Sequence, residues 1–398
     1  MAMIIVIFLV LASAVFVPIA LLLIQIIAAW IASRAVLSGN VNAQTSRPSV
    51  GIIVPAHNEA LGLAQTIRSI QPQLTAQDRL VVVADNCTDN TADIARSLGA
   101  VALERFNEVD RGKGFALDHG MQFFKDNPPE VVIIIDADCE ISKDLIHQIS
   151  LRCVDLQRPI QANYEMRFPA KGGVKQQVME FAWIVKNTVR PMGYHYLGFP
   201  CQLMGTGMAF LWRDLSQCHL ANGHLVEDMK LGLDLAGMGK APSFYAQASV
   251  KSYFPTSEQG IASQRLRWEH GHLGLIFKAF PHYLRIALEQ KNGLLLAQVL
   301  DLMVPPLALL LMATLGFWVV ALTLWFTLNE GLLAMVMTLA LLGLAFGILI
   351  AWYCFARTII SFKTLLMAPL VLLMKLPLYL KFMVSRQVDW VRSKRDHD

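Results

Sequence analysis

The chain has 398 residues, 55% of them hydrophobic and 16% charged, with a mean hydropathy of +0.46. That is too apolar for an ordinary soluble protein and points to membrane-spanning segments. A formal net charge of +4 is too small to argue for nucleic acid, and six cysteines without a CxxC pairing argue against a disulfide framework or a zinc site and fit reduced cytosolic thiols.

The apolar residues collect at the two ends. Residues 3–31 carry no charge and are long enough to cross a bilayer. The run exceeds the apolar part of a usual signal peptide and no basic stretch precedes it, so a membrane span is expected. A polar, turn-prone stretch at residues 40–48 reads as a linker. Towards the other end, residues 294–328 form a second apolar run, interrupted by Asp301 and Pro305-Pro306, and residues 332–356 form a third. Residues 365–384 are broken by Pro369, Lys375, Pro377 and Lys381. Lysine at mid-membrane depth is costly, so this stretch reads as an interfacial or re-entrant helix, with a fourth span as the alternative.

Basic residues set the expected orientation. Arg34 follows the first span, Arg357 and Lys363 follow the third, and the tail carries Arg386, Arg392, Lys394 and Arg395. Asn329-Glu330-Gly331 between the second and third spans has none. The consistent solution puts the N-terminus and the Glu330 turn outside, and the large middle segment and the tail in the cytoplasm, where the tail can meet anionic lipid. The expected organisation is a transmembrane helix at 1–33, a linker at 34–49, a cytoplasmic domain at 50–270 and an interfacial helix region at 271–292. Two transmembrane helices plus a further transmembrane or interfacial helix follow at 293–384, and a basic tail at 385–398.

Within the middle segment, residues 50–55 read as a buried strand, 60–70 as a helix, 79–84 as a strand, and 88–98 as a helix that Thr88 can cap. A third strand is expected at 101–105, a helix at 113–125, and a fourth strand at 131–135, where five β-branched residues run in a row. Such a run is buried on both faces, as in a parallel sheet. The alternation implies a doubly wound α/β sheet, in which ligands bind beyond the carboxyl ends of the strands. Pro55-Ala56-His57-Asn58-Glu59, Asp85 and Asp136-Ala137-Asp138 all fall at such ends.

Each signature has a chemical reading and a plainer one. Asp136 and Asp138 at i and i+2 can meet one divalent cation, and their oxygens suit Mg2+ or Mn2+. The plainer reading is a turn before a helix capped by Ser142. Asp85 can accept a hydrogen bond from an imide N–H, although Asp is favoured in turns anyway. In Arg111-Gly112-Lys113-Gly114 the glycines allow close backbone approach, while a lysine and a helix N-terminus attract phosphate. An ordinary loop would look the same. Glu227-Asp228 begins a helix, where acidic residues are favoured by the macrodipole alone. In Gln264-Arg265-Leu266-Arg267-Trp268, Gln264 and Arg267 share a helical face, Arg267 can grip a diphosphate, and Trp268 offers a face on which sugars stack. The rival there is an amphipathic helix with an anchoring Trp. His270, His272 and His282 read as ordinary surface or interface histidines. Gly205-Thr206-Gly207 precedes an expected strand at 208–212.

Together and in this order, the signatures resemble the family 2, inverting, membrane-bound glycosyltransferases, in the exopolysaccharide, cellulose and hyaluronan synthase-like group with a QxxRW motif. The resemblance covers about residues 50–283 and the membrane flanks. It implies a GT-A-like, doubly wound mixed sheet flanked by transmembrane helices. By the same resemblance, Asp138 is the direct ligand of Mg2+ or Mn2+, and Asp228, with Glu227 beside it, is the general base. Donor contacts fall on Pro55, Ala56, Glu59, Asp85, Lys113, Asp136, Gln264 and Arg267, with Asp85 at the base and Asp136 nearer the ribose. Acceptor contacts fall on Trp268, Gly205 and Thr206.

The expected donor is a UDP-sugar, with a GDP-sugar open. The expected acceptor is a lipid-linked sugar or growing glycan at the inner (cytoplasmic) membrane. Membrane lipid and other polysaccharide-assembly proteins are the expected partners, and no nucleic acid is. A processive synthase that extrudes its polymer is the close alternative. A non-catalytic nucleotide-sugar-binding or export subunit is opposed by the presence of every chemical residue. A nucleotidyltransferase is opposed by Asn58-Glu59 where a glycine-rich basic loop would stand.

Overall fold

The computed structural model describes residues 2–35, 47–170, 172–329 and 331–373. Most of the linker, the Glu330 turn, the segment with Lys375, Pro377 and Lys381, and the basic tail lie outside the described residues. The chain divides into two compact units. One comprises Leu37–Pro169 and Phe199–Val299 and holds the sheet; the other comprises Met1–Val36, Ala170–Gly198 and Leu300–Arg386.

In the first unit, β1 (Val50–Ala56), β2 (Arg79–Asp85), β3 (Val101–Arg105), β4 (Val131–Ile134), β5 (Glu140–Ile141), β6 (Ile160–Arg167), β7 (Met208–Leu211) and β8 (Ser243–Tyr253) form one eight-stranded sheet. Its order is β3-β2-β1-β4-β7-β6-β8-β5. β1 to β4 run parallel to one another, β7 is antiparallel to both β4 and β6, and β6 is parallel to β8. Alternate residues Ile53, Val81, Val83, Val132, Ile134, Met208 and Phe210 share one face, as the two-residue period of a strand requires. They pack against Leu117, Met121 and Phe124 of the helix Lys113–Phe124 and Leu231 and Leu235 of the helix Glu227–Gly237. Ile52, Val54, Val82 and Ile133 on the other face are equally buried. The uninterrupted apolar runs therefore do mark a sheet covered on both sides.

Local chemistry moves several boundaries. The first helix of the unit runs Leu63–Ile70, because residues 59–62 form a turn in which Leu63 N donates to Glu59 O at 3.0 Å. Thr88 does not cap the next helix. Its N–H goes to Asn58 Oδ1 at 2.7 Å, while Asp89 Oδ1 accepts from Thr91 N at 3.1 Å and the helix runs Thr91–Ser97. Ser142 is not a cap either; its hydroxyl accepts from Ser249 N at 2.9 Å, and the helix runs Leu145–Leu156. β7 stops at Leu211, and Trp212 opens a short helix.

Among the described residues of the second unit, three segments are long and apolar enough to cross a membrane: Val15–Ala32, Leu307–Leu328 and Gly331–Ala356. The middle one starts at Leu307 and not at the beginning of its apolar run. The helix Gly293–Leu302 ends before Pro305-Pro306, whose missing N–H groups cannot continue it. Beyond the third segment lie the short helices Phe362–Leu366 and Ala368–Leu373. Residues 170–198 also belong to this unit, although the sequence reading assigned 50–270 to one domain. Their helices, Val174–Ile184 and Arg190–Tyr196, are joined by a π turn at Val185–Val189. Val178, Phe181, Ile184, Val185 and Val189 pack in one cluster with Val15, Ile19, Leu22 and Ile26. Beside them Arg190 donates to Asp301 Oδ1 at 2.8 Å and to Gln25 Oε1 at 3.0 Å, and Gln25 Nε2 donates to Asp301 Oδ1 at 2.6 Å.

Candidate active site

Three parallel strands end side by side and deliver the predicted motifs. β1 ends in Pro55-Ala56, β2 in Asp85, and β4 is followed by Asp136-Ala137-Asp138. Past β1 the loop is tied to the loop after β2. His57 Nδ1 lies 2.6 Å from Asp85 O, Glu59 N donates to Thr91 Oγ1 at 2.9 Å, and Ala60 N donates to Asp89 Oδ2 at 3.1 Å. Asn58 and Asn86 both adopt positive φ, which Asn tolerates better than most residues. Arg105, unremarked in the sequence, ends β3 opposite Asp85 and donates to its Oδ1 at 2.6 Å. The signal was present only as an arginine and an aspartate ending consecutive strands, and it becomes readable once those strands are known to be parallel neighbours in register.

The acidic turn after β4 is held from below. Thr66 Oγ1 donates to Ala137 O at 2.8 Å, and Asp136 N donates to Thr206 Oγ1 at 3.0 Å. Thr206 is fully buried, and its carbonyl accepts from Gln161 Nε2 at 2.9 Å. Thr206, expected on the acceptor side, is thus tied to the acidic turn through its hydroxyl. Gln161 also accepts from Met204 N at 2.8 Å, so it fixes the 204–206 segment, another role the sequence did not announce.

Ligand atoms of Asp136, Asp138 and Cys139 lie within 4.8 Å of one another. Burial, with the adjacent Asp138 and Asp136 carboxylates, pushes the Cys139 thiol well above its ordinary value, so it stays protonated and leaves the carboxylate oxygens as the donors. An all-oxygen pair of this kind fits a hard divalent cation such as Mg2+ or Mn2+.

Lys113, at the start of its helix, pairs with Asp136 and donates to Gly205 O at 2.8 Å. Burial alone would lower its ammonium, but the carboxylates of Asp136, Glu227 and Asp228 outweigh burial and raise it. Burial pushes Asp136 up, against the pull of Lys113 and with the push of Asp138. Gly205 sits at the hub with φ +91, and a Cβ placed there would lie 3.4 Å from both Asp228 Oδ2 and Lys113 Nζ and 4.0 Å from Asp136 Oδ2. Glu227 and Asp228 form the first turn of their helix. Burial, and then the neighbouring Asp228, push the Glu227 carboxyl up to about 7.

The Gln264, Arg267 and Trp268 signature lies on the helix Glu258–Lys278, which Ser257 caps by accepting from Gly260 N at 3.1 Å. Gln264 is buried and Trp268 half-buried. Arg267 is near enough to pull on the carboxyls of Asp136 and Glu227, and its Nε is buried with no hydrogen-bond partner among the described residues. The helix is seated on the residues before Glu227, since a Cβ on Gly271 would come within 2.7 Å of Val226 Cγ1. His270 and His272 flank this contact and are buried. The structure thus gathers Lys113, Asp136, Asp138, Gly205, Glu227, Asp228 and Arg267 in one place, with Asp85 at the end of the neighbouring β2.

A family model described as "Glycosyltransferase like family 2" matches residues 48–271. The chain is similar to the probable glycosyltransferase YdaM of Bacillus subtilis (strain 168), with 22% identity over 263 residues, 60% of this chain and 59% of that one. It is also similar to the 4,4'-diaponeurosporenoate glycosyltransferase of Staphylococcus haemolyticus (strain JCSC1435), with 29% identity over 100 residues, 24% of this chain and 26% of that one. It therefore spans less than two thirds of the length of each of these curated relatives. Among solved structures it resembles the mannosyltransferase PcManGT from Pyrobaculum calidifontis in complex with GDP-Man and Mn2+, with a TM-score of 0.50 and 17% identity, covering 85% of this chain and 98% of that one. At that identity the likeness concerns the fold.

Proposed function

Because the chain belongs to the glycosyltransferase like family 2, whose model covers more than half of it, we propose that it is a membrane-bound, inverting enzyme. It moves a sugar from a UDP-sugar to a membrane-associated acceptor, a lipid-linked or growing glycan, in exopolysaccharide or glycolipid assembly. The carrying observation is the gathering of Asp228, Lys113 and Asp136 around Gly205.

Asp228 takes the proton of the acceptor hydroxyl as the new bond forms at the anomeric carbon, so inversion needs no covalent enzyme intermediate. Glu227 beside it shares the site's negative charge. Lys113 and the orphaned Arg267 Nε face the diphosphate of the donor, with Gln264 on the same helix. Asp138 and Asp136 would hold Mg2+ or Mn2+, which when bound neutralises the leaving diphosphate. Pro55, Ala56, Glu59 and Asp85 form the nucleoside end, and Trp268 the sugar-stacking face on the acceptor side. The three apolar segments support a membrane location, and the basic residues Arg34, Arg357 and Lys363 support a cytoplasmic sheet-bearing unit at the inner membrane.

The test is transfer from radiolabelled UDP- and GDP-sugars, with Mg2+ or Mn2+, by membranes containing the chain, against Asp138→Asn membranes. Label that is organic-extractable and lost in the variant supports single transfer to a lipid acceptor. High-molecular-weight label supports a processive synthase, the reading that the Gln264, Arg267 and Trp268 helix favours. No Asp138-dependent label with any donor sinks the enzymatic reading.

A further inference from the structure

The Asp85 carboxylate is used unevenly. Both of its protein donors arrive at Oδ1: Arg105 Nη1 at 2.6 Å and Asn86 Nδ2 at 3.2 Å. Oδ2 carries no hydrogen bond among the described residues. Asp85 O is engaged by His57 Nδ1 at 2.6 Å. Arg105 is itself fixed. Its Nη2 donates to Asp110 O at 2.8 Å, its guanidinium lies 5.4 Å from the centre of the Phe115 ring, and its side chain is 13% exposed against 9% for Asp85. Asn86 is fixed too, because its Oδ1 accepts from Asn107 N at 2.8 Å, which orients its amide towards Asp85.

We propose that Arg105 is a specificity-determining residue that sets which nucleobase the site accepts. The inference rests on the reading of Asp85 as the residue that meets the base. A free carboxylate can use both oxygens at once, and guanine presents two adjacent donors, the ring N1–H and the exocyclic amine, that match such a pair. With Oδ1 saturated by Arg105 and Asn86, one acceptor remains. That suits a base with a single ring N–H between two carbonyls, which is uracil. Guanine would leave its amine unmatched in a confined place, and cytosine and adenine would set a ring nitrogen lone pair against the carboxylate. Arg105 acts through Asp85 and need not touch the base: it is a positioning residue for selectivity.

The experiment is titration of the full chain in detergent, with Mn2+, against UDP, GDP and N3-methyl-UDP, for the wild type, Arg105→Met and Arg105→Lys. The expected result is UDP binding roughly tenfold or more tighter than GDP, the usual penalty for one confined unmatched donor. Arg105→Met should shrink that ratio several-fold by freeing Oδ1, and Arg105→Lys, which can still occupy Oδ1, should restore most of it. A purely structural role would weaken both nucleotides alike. GDP binding as tight as UDP in the wild type, or a ratio unchanged in Arg105→Met, overturns the role of Arg105. Should Arg105→Met fail to fold, the wild-type ratio and Arg105→Lys still decide. Equal binding of UDP and N3-methyl-UDP, or no nucleotide binding at all, overturns instead the assignment of Asp85 on which the proposal rests.

Discussion

Two clusters of charge, one buried and one half-buried, use the same residue types to different ends. In the helical unit, Arg190, Asp301 and Gln25 answer one another: one cation, one anion, one amide, with Arg190 Nη2 reaching both the Asp301 carboxylate and its carbonyl at 2.8 and 2.9 Å. Around Gly205 the carboxyls of Asp136, Glu227 and Asp228 act on Lys113, those of Asp136 and Glu227 also feel Arg267, and the Arg267 Nε has no hydrogen-bond partner among the described residues. A charge set that closes on itself braces a structure. The second set keeps a buried donor, Arg267 Nε, with no partner among the described residues, which is what the proposed diphosphate ligand would use. Buried ion pairs add little net stability when complete but are costly when half of one is removed.

The sharpest way to test this contrast is to remove one charge from each cluster. Asp228→Asn should lower transfer by about two to four orders of magnitude, the range for loss of a general base, with an unchanged melting curve in detergent. A variant that transfers normally removes Asp228 from the chemistry. Arg190→Met should do the reverse. It strands Asp301 and should cost about 3–5 kcal/mol, read from detergent denaturation, and Arg190→Met with Asp301→Leu should recover most of that loss. Equal stability of the single and double variants would mean that the cluster is not the closed brace described here.

A subtler difference lies in pH. The unfolded chain releases the Glu227 proton near 4.5, whereas the folded chain holds it to about 7. Between those values the folded state binds more protons, so in cation-free protein stability should fall as pH rises through the window, and Glu227→Gln should flatten that slope. A slope that survives the substitution assigns it to another group. The smallest effect is expected from Gly205→Ala. A non-glycine residue at φ +91 costs about 1–3 kcal/mol and places a methyl against Asp228 and Lys113. Transfer should fall several-fold more than stability alone explains, measured at a temperature where the variant is fully folded.

The regions also differ in how far the sequence revealed them. β1, β2 and β4 were legible because each is an apolar run stopped by a polar or acidic residue, and the same stops mark the site. Arg105 and Gln161 were not, because their partners, Asp85 on a neighbouring strand and the segment entering β7, are brought close by an adjacency that no local pattern encodes. The burial of Thr206 and its bond to the acidic turn were not legible either, since burial depends on the strand packed beside it. Residues 174–196 read as part of the soluble domain because their apolar positions, Val178, Phe181 and Val185, have ordinary amphipathic spacing. Nothing in that spacing says which surface will cover them. The interruption of the second apolar run at Pro305-Pro306 was legible, and the helices Gly293–Leu302 and Leu307–Leu328 lie on either side of it.

The reversed direction of β7 has a practical corollary for anyone re-engineering the chain. Since β7 runs against β4, the segment entering it, Gly205-Thr206, abuts the exit of β4, while Trp212 N meets Glu130 O at 3.0 Å at the opposite end of the same pair of strands. Adding or deleting one residue between Met204 and Met208 would slip Ile134 off Met208 and carry the hydroxyl of Thr206 away from the peptide it steadies. The polar turn at residues 125–130 lies on the far side of that frame. A reporter peptide or an affinity tag belongs there, where the lengthened chain leaves the spacing of the reactive groups untouched.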